Sequence, residues 1–259
     1  KKIYWMKIII NSQFQNNSST INDFITDFDN NGKLFGNGKR NKIKIFDLDG
    51  TAVNIKSFKI PNLINKVAYK FFRKSKAKRS YEYAITLLEY GIGTPQPIAY
   101  AENFSFLGLE KSYYVSEHLE TELTFRELVE IPDYPNHDII LRQFVHFCFR
   151  LHEKGVEFLD HSPGNTLIHK VRTNQYEFYL VDLNRMNFHP EMDFDQRTKN
   201  LSRLTPKKEM IAVMSNEYAK LYPNKTEAEI FEKMWFYTNE FQIKFHKKQE
   251  LKKKLKLKK

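Results

Sequence analysis

Apolar and polar residues alternate with period two over residues 42–48 and again over 52–59, and Asp49-Gly50 lies between the two runs. That dipeptide suits a two-residue hairpin, because both central positions of the tight turn take positive φ. Ahead of the hairpin, a short apolar stretch at Ile8, Ile9 and Ile10 reads as an edge strand, a polar run covers 11–20, and 21–28 is helical. Gly32, Gly36 and Gly38 then punctuate a strand-like segment. Over 65–90 the spacing becomes helical, with Tyr81, Ala84, Ile85 and Leu88 recurring at three and four residues until Gly91 and Gly93 stop it. Pro95 and Pro97 introduce a strand at 98–101, and a tyrosine-rich strand follows at 111–115.

The second half begins with an amphipathic helix at 138–153, with Ile140, Phe144, Cys148 and Leu151 on one face and Gly155 at its end. An irregular stretch at 158–164 leads to two apolar strands, 165–169 and 178–181, and the chain then turns helical, most clearly over 227–245. The fold class is therefore α+β. The expected architecture is bilobal: an antiparallel sheet with one helix over 1–117, a helix-rich part over 118–246, and a basic tail over 247–259.

A hydrophobic fraction of 41% supports a real core, and no apolar run reaches the eighteen residues of a membrane span. No small-residue cleavage site follows Ile8–Ile10, so the stretch is not read as a signal peptide. One cysteine, Cys148, excludes an internal disulfide framework and fits a reducing cytoplasm. The net charge of +11 is concentrated: 66–79 carries seven basic residues and no acid, 247–259 carries eight lysines against Glu250, and the remainder nets −3. Two basic patches on an acidic body suit an anionic membrane surface. With no nucleic-acid module or aromatic platform beside them, no nucleic acid is expected. The oligomeric state is left open.

Phosphoryl transfer from ATP asks a protein mainly for positioning and charge neutralisation. It needs a carboxylate at the acceptor hydroxyl, an amide oxygen and a second carboxylate on magnesium, and a glutamate-held lysine on the phosphates. Asp160 and Asn165, five residues apart, have the offset of a kinase catalytic loop, and Asp182 closes the apolar strand at 178–181. Val53-Asn54-Ile55-Lys56 resembles the strand-lysine motif, with Lys59 as the competitor on the opposite face. Glu82 is the expected partner of Lys56, ahead of Glu89 at the helix end. Gly36 and Gly38 are the candidates for a phosphate-covering loop, although the full spaced-glycine motif is absent.

These segments resemble the lipopolysaccharide kinases that phosphorylate Kdo or heptose of the inner core. The resemblance is carried by Leu151-His152 to Gly155, by Asp160 to Asn165, and by Leu180-Val181-Asp182-Leu183-Asn184-Arg185-Met186. Upstream, the stretches 53–61, 71–76 and 91–97 look like the amino lobe of the same group. It implies a protein-kinase-like fold, ATP and magnesium, and a lipid-linked core oligosaccharide as acceptor at the cytoplasmic face of the inner membrane. The roles implied are Asp160 as base, Asn165 and Asp182 as metal ligands, and Lys56 with Glu82 as the nucleotide pair. Phe158 and Leu159 replace the usual His-Arg before the aspartate, so no phosphorylation switch is expected. Asn184 stands where glycine commonly follows, and asparagine tolerates left-handed backbone. Only 77 residues follow Asp182 and no Ala-Pro-Glu segment occurs among them, which favours a small or lipid-linked acceptor over a protein.

Two other readings compete. Phe46-Asp47-Leu48-Asp49-Gly50-Thr51 matches the nucleophile motif of haloacid-dehalogenase-like phosphatases, with Asp47 attacking and Asp49 as acid and base, but that motif needs a parallel strand followed by a helix. A pseudokinase or membrane-associated scaffold would use the basic patches alone. His146, His152, His161 and His169 lack zinc spacing and read as structural or solvated.

Overall fold

The computed structural model describes residues 4–36 and 41–256. The chain divides into two compact units, the first comprising residues 1–120 with Asp182–Arg185 and the second comprising Thr121–Val181 with residues 186–259.

The first unit is built on β1 (Tyr4–Ile10), α1 (Ser18–Thr26), β2 (Lys33–Phe35), β3 (Lys42–Leu48) and β4 (Thr51–Phe58). It continues through α2 (Leu63–Phe71), α3 (Lys76–Glu89), β5 (Pro97–Ser105) and β6 (Gly108–Glu117). Its six strands form one antiparallel sheet in the order β1-β5-β6-β4-β3-β2, so the Ile8–Ile10 stretch does lie on an edge strand. The hairpin turns at Asp49 and Gly50, whose φ values are 52° and 86°. Ile21, Ile25 and Phe28, at helical spacing, cover Val53, Ile55, Ala99, Ala101 and Val115 on one face of the sheet. Each fully buried isoleucine, valine or phenylalanine among them contributes roughly 1.5–3 kcal/mol. Strand alternation then sends Lys56, Tyr114 and Tyr100, aligned in register, to the other face, where the Tyr81 ring of α3 packs on Tyr100 at 5.3 Å.

The single helix expected over 65–90 is two helices. Ser75 leaves the helical region with ψ 164° and its hydroxyl accepts from Lys78 N at 3.1 Å, capping α3 and breaking the run. The residues at the break, Arg73-Lys74-Ser75-Lys76, contain neither glycine nor proline to mark a stop, which is why periodicity alone missed it.

The second unit contains β7 (Leu123–Thr124), α4 (Phe125–Glu130), α5 (His137–Glu153), β8 (Val156–Phe158), β9 (Thr166–Arg172) and β10 (Gln175–Leu180). After these come β11 (Met186–Phe188), α6 (Phe194–Asn200), α7 (Lys208–Leu221) and α8 (Glu227–Lys256). Its sheets are small, β10-β9-β7 and β11-β8, and helices make up the rest. Ile140, Phe144, Cys148 and Leu151 of α5 are buried, as their spacing requires. Gly155 ends this helix at φ 67°, and a Cβ there would stand 1.9 Å from the His189 carbonyl oxygen, so only glycine fits. α8 continues through the lysine run to Lys256, past the expected end at 245, because Lys, Leu, Gln and Glu are all strong helix formers. Among the described residues no helix is long and apolar enough to cross a membrane.

Candidate active site

In the first unit the Lys56 ammonium reaches the Asp182 carboxylate, Nζ to Oδ1, at 2.7 Å, joining residues 126 positions apart. The lysine is nearly enclosed, with 12% of its side chain exposed, and its ammonium also lies 5.4 Å from the centre of the Phe58 ring. Lys59, the competing lysine, is exposed. Asp182 sits on left-handed backbone with φ 61°, and the same Oδ1 accepts from Asn184 Nδ2 at 2.6 Å. The left-handed position is therefore Asp182 itself. Asn184, expected to be the tolerant residue, instead holds the carboxylate.

In the second unit the loop between β8 and β9 closes on its own backbone. The Asp160 carbonyl accepts from Ser162 N at 2.7 Å and from Asn165 Nδ2 at 2.8 Å, which fixes the five-residue interval read from the sequence. The Asn165 carbonyl in turn accepts from Val181 N at 3.0 Å, tying the loop to the end of β10. Gly164 lets the Arg126 guanidinium lie against the loop, since a Cβ there would meet it at 2.6 Å.

Arg203 went unrecognised in the sequence. Its Nη1 donates to Asp160 Oδ1 at 2.9 Å and to the Leu159 carbonyl at 2.7 Å, while its guanidinium carbon lies 5.4 Å from the centre of the Phe241 ring. Phe158 and Leu159 deprive Asp160 of an arginine beside it in the chain, and one arrives from 43 residues away instead. No local pattern marks it. Next to Asp160, burial pushes His161 down to about 4, with the Asn200 amide opposing and Arg203 adding to the shift. Burial likewise takes His152 down to about 3, and its Nδ1 lies 2.9 Å from the Tyr218 hydroxyl. Both rings are thus neutral parts of the core, as their lack of zinc spacing suggests.

Other expectations need correction. Glu82 is not joined to Lys56 but pairs with Lys74 at 2.8 Å and Lys78 at 3.9 Å, because the basic run surrounds it with closer ammonium groups. Glu89 is exposed. Gly36 has φ 75° and, among the described residues, nothing within 4 Å of the place of a Cβ, and Gly38 lies outside the described residues. The phosphatase reading fails on topology, since Asp47 lies on β3, which pairs antiparallel with both neighbours, and its carboxylate accepts from Gly50 N at 2.6 Å within the hairpin. A carboxylate locked into its own turn, with strand β4 directly after it, lacks the setting that chemistry needs.

The solved structure titled "WaaP in complex with acyl carrier protein" is similar in fold, with a TM-score of 0.63 at 16% identity over 93% of this chain and 98% of that one. An antiparallel amino-terminal sheet, a helical carboxy-terminal part and this likeness define a protein-kinase-like fold. Residues 56–224 match the model of the lipopolysaccharide kinase (Kdo/WaaP) family, and the chain belongs to that family. Its reaction is accordingly phosphoryl transfer to a sugar hydroxyl, for which kinase chemistry implies ATP as donor. Comparison with curated protein sequences finds no match.

Proposed function

We propose that the chain phosphorylates Kdo or heptose of the lipopolysaccharide inner core, with ATP and magnesium, at the cytoplasmic face of the inner membrane. The Lys56–Asp182 contact carries this reading, because it brings a strand lysine and a strand-end carboxylate, far apart in sequence, to hydrogen-bonding distance. Lys56 grips the α and β phosphates, whose oxygens compete with Asp182 for the ammonium. Asp160 orients and deprotonates the acceptor hydroxyl, and Arg203 positions it. The oxygens proposed for a metal are taken one from each unit, the Asp182 carboxylate in the first and the Asn165 amide in the second, and no cluster of three or more His, Cys, Asp or Glu suited to a metal occurs among the described residues. A sparse oxygen set fits magnesium, which keeps waters and substrate phosphates in its coordination sphere. Held there with the nucleotide, magnesium would supply neutralisation of charge on the transferring phosphoryl group. The acceptor is lipid-linked, and the two basic runs hold the protein to an anionic membrane surface.

Mass spectrometry of lipopolysaccharide from cells with and without the gene tests this, and a phosphate-sized mass difference on the core sugars is expected. The scaffold alternative wins if the purified protein gives no magnesium-dependent thermal shift with ATP and no turnover.

A further inference from the structure

The first unit carries an aromatic face that its own core does not use. Phe71 at the end of α2, Phe72 just beyond it and Phe106 in the β5–β6 turn are 65%, 84% and 88% exposed, and Trp5 of β1 is 47% exposed. They form one patch around one ammonium: Lys70 Nζ lies 5.2 Å from the Trp5 ring centre, 5.3 Å from Phe71 and 5.8 Å from Phe106, and donates to the Phe106 carbonyl at 3.1 Å. Phe71 and Phe72 are themselves 6.2 Å apart, and Ile64, two turns earlier on α2, is 81% exposed. A contiguous apolar patch of this kind on a folded unit marks an interaction surface.

We propose that this face is the docking surface for an anionic phospholipid bilayer, with the aromatic rings at headgroup depth and the surrounding basic side chains on the lipid phosphates. Charge complementarity selects the occupant: 66–79, the stretch that carries Phe71 and Phe72, has seven basic residues and no acid, and although Lys66 pairs with Glu110 and Lys74 and Lys78 share Glu82, Lys70 stands among the rings and Arg73 is exposed beside them in the chain. Aromatic rings mixed with lysine and arginine are the composition of a membrane-interface belt, where the ring enters the interfacial layer and the cation stays among the phosphates. Lys70 joins the two functions, since its ammonium is held amid three rings drawn from β1, α2 and the β5–β6 turn. The proposal rests on the membrane location given under Proposed function, and not on the catalytic assignment.

The chain has two tryptophans, so Trp235→Phe in the full-length protein leaves Trp5 as the sole reporter. With vesicles of phosphatidylcholine and phosphatidylglycerol, Trp5 emission is expected to shift to the blue and to be quenched when the acyl chains carry bromine. Phe71→Ser with Phe106→Ser should lower vesicle-bound protein at least tenfold, with thermal unfolding unchanged because both rings are exposed. That double variant should phosphorylate a soluble, delipidated core oligosaccharide as the wild type does. Lack of such turnover in the wild type would sink the kinase reading alone. Three results overturn the docking proposal: vesicle binding with Trp5 emission unmoved and unquenched, no vesicle binding at all, or a Trp5 response to an acidic carrier protein but not to vesicles.

Discussion

Asp182 and Asp160 are both carboxylates assigned to phosphotransfer, and the protein holds them in opposite ways. Asp182 stands on left-handed backbone, and one of its oxygens takes hydrogen bonds from two side chains, Lys56 and Asn184. Asp160 stands in a loop closed by its own carbonyl, with a single guanidinium bridging its carboxylate and the preceding carbonyl. The first arrangement can be exchanged, because an ammonium held by a carboxylate can pass to phosphate oxygens without rebuilding the backbone. The second is fixed, because Arg203 is itself braced on Phe241. On the roles proposed above, the group that meets a nucleotide is left tradable and the group that aims at a hydroxyl is locked.

The largest expected effect separates the two carboxylates by function. Asp160→Asn should lower kcat by about 10²–10⁴-fold, the usual range for losing a general base, while the magnesium-dependent thermal shift with ATP persists. Asp182→Asn should abolish that shift as well. Equal behaviour of the two variants would break the comparison.

Next in size is Arg203→Gln, for which kcat should fall by about 10–100-fold, the scale of a misaimed catalytic group, with the KM for ATP unchanged. Arg203→Lys should recover only part of the loss, since an ammonium cannot reproduce the planar fork. Wild-type kcat in either variant would show that Asp160 is aimed by its loop alone.

A smaller effect concerns pH. His152 and His161 are held neutral in the fold, at about 3 and about 4, below the ordinary histidine value of 6.5. A depressed folded-state value means that the unfolded chain binds more protons between 6.5 and those values, so stability is full above about 6.5 and declines as the pH falls through that window. Glu217 adds to the decline below about 4.5: burial alone would raise it, but Lys220, Arg142 and His146 bring it down to about 2. Urea midpoints at pH 7, 5.5 and 4.5 should fall in that order, and His161→Leu should flatten the slope. The smallest change is expected for Glu82→Gln, under about twofold in kcat/KM, because half-exposed ion pairs contribute little. A tenfold loss there would restore Glu82 as the partner of Lys56.

What could be read from the sequence follows the distance over which each feature is encoded. Asp49-Gly50, the α5 face and the Asp160–Asn165 interval are local patterns, in which backbone geometry follows from a few adjacent residues. Lys56 was legible because strand alternation assigns its face. The contact expected between Glu82 and Lys56 is replaced by pairs with Lys74 and Lys78, since the sequence places a carboxylate on the helix but does not rank the ammonium groups around it. Arg203 and Phe241 were invisible, because their meaning depends on the packing of elements that share no period with the catalytic loop. β7, β8 and β11, two or three residues each, are too short to show any alternation.

The support beneath Arg203 also decides how short a working enzyme can be. The family match ends at residue 224, yet Phe241 lies on α8, which starts at Glu227. A fragment trimmed to the matched region would retain Lys56, Asp160, Asn165, Asp182 and Arg203 and still lose the ring on which the arginine rests. A fragment meant to turn over at the native rate is therefore expected to need residues at least as far as Phe241.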